Sequence, residues 1–393
     1  MKLDARSASD LRAHVPRLLS RARALLKLSG GPEDRLGPGE LKRAAGMVSE
    51  LHEGLVGERL LARAATYDRP VHLGAYLLWW WPQSYARVRA ALTLSALPFS
   101  LAGRTTPVRI LDLGAGPGPA AIALADHLVA RGVRVEALLV DESEAALGEA
   151  RALALHRPNF TLTTRRADLS ATPLDASLGA YDLISAAHLL SELPLTLDER
   201  AAFLRKLCDA HLAQAGALLV VEPALRETGR ALLEVRDRLL APPAGVSPLR
   251  ALAPCLTQQA CPALVNPRDW CTAEVSWDAP PHLLQLSREL GLHAEAPLSF
   301  APLLLSREVP TPAADLFRVV GVPPHEKGKK RLFVCAERGR LAVARLDRDA
   351  TEANAIFEEA SRGDCVRLRG LSEKGDGLRL GAGGTIERIV PGA

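Results

Sequence analysis

The chain has 393 residues, of which 48% are hydrophobic and 24% charged, and a formal net charge of +4. That composition suits two or three folded domains and excludes wholesale disorder. The mildly basic balance permits a nucleic-acid partner without demanding one. No apolar run reaches the ~18 residues of a membrane span, so no membrane association is expected.

Residues 1–103 read as an N-terminal helical domain. Apolar positions recur at three and four in "DLRAHVPRLLSRARALLKL" and in "GELKRAAGMVSELHEGLVGERLL", with "GPEDRLGPGE" as the turn between them. The first helix is arginine-rich and amphipathic like a transit peptide. Asp4 and Asp10 are out of place in one, and no apolar secretory core is present, so a surface helix in a non-exported chain is expected. In a cytoplasmic setting thiols stay reduced, and clustered cysteines point to metal or catalysis. The three tryptophans of "AYLLWWWPQSYARVRAAL" read as a packing face toward the next domain.

Over 104–241 short apolar runs ("VRILDLG", "RVEALLVD", "FTLTTRRAD", "AYDLISAAHLL", "GALLVVEP") alternate with helical segments, the rhythm of a doubly wound, Rossmann-like α/β sheet. Residues 242–325 read as a Cys-rich metal-binding region: 242–281 is a proline-rich, irregular loop holding three cysteines, and "PPHLLQLSRELGLH" after it is helical. From 326 to 393, short strands with Gly-Asp turns suggest a small C-terminal β module.

"VRILDLGAGPGPAAIALAD" is a strand, a glycine turn and a helix. Gly114, Gly116 and Gly118 permit a tight turn and close approach of a ligand. Pro119 stands where a nicotinamide fingerprint wants glycine, and no Lys-Ser/Thr pair follows as in a phosphate-binding loop. The pattern resembles motif I of class I S-adenosylmethionine-dependent methyltransferases over about residues 105–225. The resemblance implies that Asp112 helps hold the methionine amino group and that the glycines line methionine and ribose. Asp141, ending the second strand, suits the ribose diol, since a carboxylate accepts two hydrogen bonds there. Asp168, after the third strand, matches the position facing the adenine amino group.

Methyl transfer is a separate matter. The Asn/Asp-Pro-Pro-aromatic motif of amino-methylating enzymes is missing after the fourth strand, and no cysteine nucleophile ends that strand. Cys208 reads as a core thiol within a helix. His188 and Glu192 are polar candidates at the pocket mouth, though four apart they could simply pair on a helix. Glu222 ends the fifth strand. No catalytic residue is named.

"CLTQQACPALVNPRDWC" gathers Cys255, Cys261 and Cys271, half of the six cysteines. The spacing is too open for a zinc knuckle and differs from ferredoxin motifs, so a metal site and buried structural thiols both stand open. Cys365 alternates with apolar residues and belongs to a strand. "APC…ACP…DWC" after "VVEP", together with "AYLLWWWPQSYARV" and the Cys335 segment, resembles the methyltransferase-like protein 17 family over about residues 65–370. These are mitochondrial small-ribosomal-subunit assembly factors with bacterial relatives. The resemblance implies a [4Fe–4S] cluster on Cys255, Cys261, Cys271 and Cys335, with zinc in an S4 site as the rival. Leu256 and Thr257 stand where the family has Pro-His.

The resemblance also implies small-subunit rRNA as partner, in mitochondria if the source is eukaryotic. Residues 327–348 hold eight Lys or Arg against two acids, a stretch suited to RNA phosphates. A monomer is expected. Two other readings remain: an active RNA or small-molecule methyltransferase with structural zinc, and a metal-dependent interaction protein whose cofactor pocket is unused.

Overall fold

Three helices lead the chain: α1 (Ala5–Leu26), α2 (Pro38–Val56) and α3 (Pro70–Thr93). They are followed by β1 (Val108–Leu113), α4 (Pro119–Val129), β2 (Val135–Asp141), α5 (Glu144–Ala154), β3 (Phe160–Arg166), β4 (Tyr181–Ala187), α6 (Leu197–His211), β5 (Leu212–Pro223) and α7 (Arg226–Leu240). Next come β6 (Arg250–Ala253), β7 (Ala273–Val275), α8 (Pro281–Leu290) and β8 (Leu298–Ser306). The computed structural model describes residues 1–56, 66–94, 105–155, 157–171, 174–241, 247–309, 311–375 and 377–389.

In β1 the pleat divides the side chains between two layers. Val108 and Ile110 enter a core under α1, α3, α4 and α5, while Leu111 and Leu113 enter a core under α6 and α7. The sheet order is β3-β2-β1-β4-β5-β8-β6, with β7 also on β8. Strands β1 to β5 pair in parallel, and β8 runs antiparallel between β5 and β6. The chain leaves β1 toward β2 and β3, then returns to place β4 on the other side. That reversal opens a crevice at the carboxyl ends of β1 and β4, where open α/β sheets bind ligands.

Local sequence sets the helix ends. Thr196 and Glu199 form a reciprocal capping box that starts α6. At α4 the left-handed Gly118 precedes Pro119 in the first turn, where a missing N–H costs nothing. The proline that breaks the nicotinamide fingerprint is therefore a helix starter.

The leading helices are not a detached domain. Leu11, Val15 and Leu18 of α1 share one core with Ile122 and Leu139 of the sheet layer. Within it, Asp126 accepts from Tyr85 Oη at 2.7 Å, lies 2.8 Å from His14 Nε2, and pairs with Arg157. Burial, helped by the charge of Arg157, pushes His14 down to about 3, so the imidazole is neutral.

Residues 242–281, expected to be irregular, supply β6 and β7, both of which pair with β8. Strands of four and three residues carry no periodic signal of their own, and their pairing with β8 is remote in sequence.

Five further strands close a barrel: β9 (Leu316–Gly321), β10 (Lys329–Ala336), β11 (Gly339–Leu346), β12 (Cys365–Lys374) and β13 (Gly377–Ile389), with the short α9 (Ile356–Glu359) after β11. The order is β10-β11-β13-β12-β9, closing onto β10, and the β11–β13 pair is parallel. Phe317, Val319, Leu332, Val334, Val343, Phe357, Val366 and Leu368 fill it. Arg318 fastens the barrel to the rest: its guanidinium donates to Pro254 O at 3.1 Å and Leu94 O at 2.8 Å. The N-terminal ammonium joins in, donating to Ser361 Oγ at 2.8 Å. Among the described residues no helix is long and apolar enough to cross a membrane.

Candidate functional site

A cavity of about 710 Å³ opens at the crevice over β1 and β4, within the range of small-ligand pockets. The turn after β1 forms its floor. Gly114 and Gly116 have φ of 60° and 51°. A Cβ on Gly114 would meet Leu189 Cδ1 at 2.7 Å, whereas one on Gly116 would have nothing within 4 Å. Gly114 is therefore required by packing as well as by backbone. Gly116 leaves open space along the cavity floor.

Asp112 at the end of β1 is fully buried. Its Oδ1 accepts from Ser185 Oγ at 2.6 Å and its Oδ2 from Ala121 N at 3.1 Å. Burial pushes its carboxyl up to about 7, the nearby charge of Asp141 adding to it. Because the folded-state pKa is raised, the neutral form favours the fold. Asp112 thus adds stability below the ordinary aspartate range that is lost as pH rises toward about 7. In thermal or denaturant unfolding, the stability difference between wild type and Asp112→Asn should fall by up to about 1.4 kcal/mol per pH unit over that window. A pH-independent difference would contradict this.

Asp141 ends β2 facing the cavity, and its Oδ2 accepts from Gly116 N at 2.7 Å while Oδ1 accepts from Ser143 N at 2.9 Å. Burial raises its pKa. Asp168 stands exposed on the rim after β3, its Oδ1 accepting from Ser170 N at 2.8 Å and Ser170 Oγ at 2.7 Å, which lowers its pKa. Asp112, Gly114, Gly116, Asp141 and Asp168 all line the cavity. Gly118 does not; it starts α4.

His188 and Glu192 also line it, but on a turn rather than a helix. His188 has φ of 61° and donates its backbone N–H to Val221 O at 2.7 Å. Burial, then the charge of Arg87, pushes it down to about 3. Glu222 is fully buried and faces away, accepting from Leu190 N at 2.9 Å and Ser191 N at 3.2 Å. It holds the turn that carries His188 and Glu192.

Sequence reasoning missed one wall. Tyr76, Trp80, Ser84 and Arg87 of α3 line the cavity; their spacing of four, four and three is one helical face. Of the three tryptophans, Trp79 and Trp81 are buried, and Trp81 Nε1 donates to Pro117 O in the glycine turn at 3.1 Å.

Beyond α7, ion pairs and bonds to backbone carbonyls hold the segments that carry the cysteines. Arg236 of α7, fully buried, donates to Thr257 O at 2.5 Å and Gln259 O at 2.9 Å, between Cys255 and Cys261. Asp237 Oδ2 accepts from Cys261 N at 2.8 Å. Arg230 donates to Asp269 O at 2.6 Å and Asn266 O at 2.9 Å, shaping the approach to Cys271. Cys335 lies on β10 in register with Arg318 and Arg340. Arg318 reaches the carbonyl beside Cys255, and Arg340 pairs with Asp269 at 2.5 Å, two residues before Cys271.

Burial raises Cys261 to about 11 and Cys335 to about 12, with Cys255 the next cause for both. Cys271 is raised further by burial and by the charges of the other three. All four are free thiols. Among the described residues, no group of three or more His, Cys, Asp or Glu is arranged to hold a metal ion. Cys208 is buried on α6 and Cys365 on β12.

The family model described as mitochondrial small ribosomal subunit Rsm22 matches residues 70–364. The chain belongs to the Rsm22 family. The span shared with Rsm22 proteins includes the cavity wall of α3, the glycine turn and Cys255, Cys261, Cys271 and Cys335, and stops just before β12. No curated protein matches the chain.

Solved structures similar to this Rsm22 chain include the plantazolicin methyltransferase BpumL in complex with SAH, at 13% identity and TM-score 0.36, covering 69% of this chain and 98% of that one. Another is a ribosomal protein L11 methylase from Lactobacillus delbrueckii subsp. bulgaricus, at 17% identity and TM-score 0.30, covering 56% and 78%. A third is PKMT2 from Rickettsia typhi in complex with AdoHcy, at 18% identity and TM-score 0.27, covering 40% and 28%.

Proposed function

We propose that the protein binds S-adenosylmethionine over the glycine turn, holds a [4Fe–4S] cluster on Cys255, Cys261, Cys271 and Cys335, and engages small-subunit rRNA during ribosome assembly. The observation that carries this reading is a nucleoside-sized cavity within one span, also holding the four cysteines, that is matched by a ribosomal family. Asp141 would take the ribose diol, Asp168 the adenine edge, and the Gly114–Gly116 backbone would lie under the sulfonium. Neutral His188 lines the same cavity beside Glu192, where the two would shape the space around the methyl group. No general base is needed for binding.

Four thiolates are soft ligands that select iron–sulfur or zinc. Among the described residues no three such side chains are arranged around a common ion, so the choice of the cluster over zinc rests on the resemblance carried by the cysteine segment. The guanidiniums of Arg236, Arg318 and Arg340 would offset the negative charge left on the site, and the bound cluster would supply a rigid crosslink between the loop and the barrel.

The barrel supports the RNA partner. Its five strands, taken around the wall, run first, second, third, fifth, fourth. With a parallel third–fifth pair, this is the arrangement of oligonucleotide-binding folds, which use the face of strands two and three. The basic stretch is not one solvent face, however. Lys330 and Arg345 are buried and bond Glu358, Lys329 and Arg331 share Glu326, and Arg340 pairs with Asp269. Lys327, Arg338 and Arg348 are left exposed on the barrel.

Replacing those three by alanine should weaken binding to single-stranded small-subunit rRNA and reduce the slope of log K against log salt by about 2. An unchanged slope would remove the barrel from the RNA reading. Tritiated methyl transfer onto rRNA from a deletion strain separates an active methyltransferase from a binding-only assembly factor.

A further inference from the structure

Arg87 of α3 lines the cavity and is half-buried. Its hydrogen bonds are two long ones, 3.3 Å to Ser299 O and 3.3 Å to Gln83 Oε1. Among the described residues no carboxylate pairs with it. Enclosure in protein pushes its pKa down to about 10, with the Tyr76 hydroxyl the one group that offsets this. A guanidinium held in a pocket without an anion is costly, and such sites are kept where an anion arrives.

The strand order says which anion. Cavity-lining groups follow the carboxyl edge of the sheet: Asp168 beyond β3, Asp141 at β2, the glycine turn at β1, His188 at β4, and Ser299 on β8 beside the end of β5. Arg87 sits at the β4–β8 end, close enough for its charge to depress His188, and bonded to Ser299. From β3 to β4 is three strand spacings, about 14 Å, roughly the length of an extended adenosyl amino acid. A ligand whose adenine lies near Asp168 and whose ribose lies at Asp141 has its amino-acid tail pointing toward Arg87. That tail ends in the cofactor's single carboxylate.

We propose that Arg87 is the carboxylate clamp of the cofactor site, its guanidinium pairing with the methionine α-carboxylate of S-adenosylmethionine. Arg and carboxylate meet in a planar, two-bond geometry that a lysine ammonium does not reproduce. The proposal rests on the cofactor reading above. It adds that α3, and not only the sheet, decides affinity for the amino-acid half of the ligand.

The test compares two ligands on the full-length protein by calorimetry. S-adenosylhomocysteine carries the carboxylate; 5′-methylthioadenosine has the same nucleoside and lacks the amino-acid tail. Arg87→Gln should weaken S-adenosylhomocysteine by about 10- to 100-fold while 5′-methylthioadenosine changes by no more than about twofold. Arg87→Lys should recover part of the loss. Retained binding of 5′-methylthioadenosine also shows that the variant is folded. Equal losses for both ligands would make Arg87 a structural support, and an unchanged S-adenosylhomocysteine affinity would give the guanidinium to another ligand; either result overturns the clamp. A wild-type protein that binds neither ligand overturns the cofactor reading itself, and the clamp with it.

Discussion

Changing Cys335 to serine should strip iron from the anaerobically purified protein, lowering iron per chain at least tenfold and abolishing its brown colour, while Cys208→Ser leaves both intact. Cys255, Cys261 and Cys271 share one loop, so their assembly is local and closes short segments. Cys335 comes from the barrel and is the only one of the four whose loss leaves that loop uninterrupted. Removing it takes away the ligand that crosslinks barrel to loop.

A bound centre contributes its binding free energy to folding. The variant should therefore also unfold at lower temperature, and the difference from wild type should vanish when both are prepared without metal. Arg318 and Arg340 still bridge the barrel to Pro254 and Asp269 in that metal-free state, so it should remain folded. Cys208 supplies the control because it is a buried thiol of α6 and not one of the four proposed ligands. A Cys335→Ser protein with wild-type iron and colour would refute the four-thiolate site. A colourless wild type carrying stoichiometric zinc would replace iron by zinc.

Much of the parallel sheet is legible in the sequence because each parallel strand is a short apolar run bounded by turn residues. The glycine turn is legible because close approach and positive φ leave few choices at Gly114 and Gly116. What was hidden depends on direction or on distant pairing. Consecutive helical residues diverge by about 100°, so three adjacent tryptophans do not share one face. Trp79 and Trp81 pack inward and Trp80 turns to the cavity, taking Tyr76, Ser84 and Arg87 with it.

The basic stretch misleads for a related reason. Alternate residues on a strand face opposite ways, which sends Lys330 and Arg345 inside toward Glu358. His188 and Glu192 suggested helical spacing, yet the bonds from Leu190 N and Ser191 N to buried Glu222 fold that segment into a turn. Strand β8, which completes the sheet between β5 and β6, pairs with residues some eighty positions earlier, and no local pattern announces that. The approach of Cys335 to Cys255 is equally non-local. It runs through Arg318, whose side chain carries no sequence signal for the partner it finds.

Asp141→Ala should weaken S-adenosylhomocysteine binding by about 100-fold in calorimetry. A carboxylate bond to a ribose hydroxyl is charge-assisted, and two such bonds are lost together. Part of the effect would come from the turn itself, since Gly116 N and Ser143 N both donate to Asp141. Asp141→Asn separates the two causes. It keeps an acceptor for one of those N–H groups, so unfolding of the ligand-free protein should be disturbed less than by alanine, yet it removes the charge and one of the acceptors the diol needs. Its affinity should therefore fall nearly as far as that of the alanine variant.

The pH dependence adds an independent sign. Burial holds the Asp141 pKa above the ordinary aspartate value, so lowering the pH protonates it earlier than an exposed aspartate and converts an acceptor into a donor. Wild-type affinity should then decline on acidification, and Asp141→Asn should show a flatter profile over the same range. Asp168, whose pKa is lowered by Ser170, would titrate further into acid and contribute little there. An Asp141→Asn protein that binds the cofactor as tightly as wild type, with the same pH profile, would move the ribose away from β2 and break the order of ligand parts on which the Arg87 clamp depends.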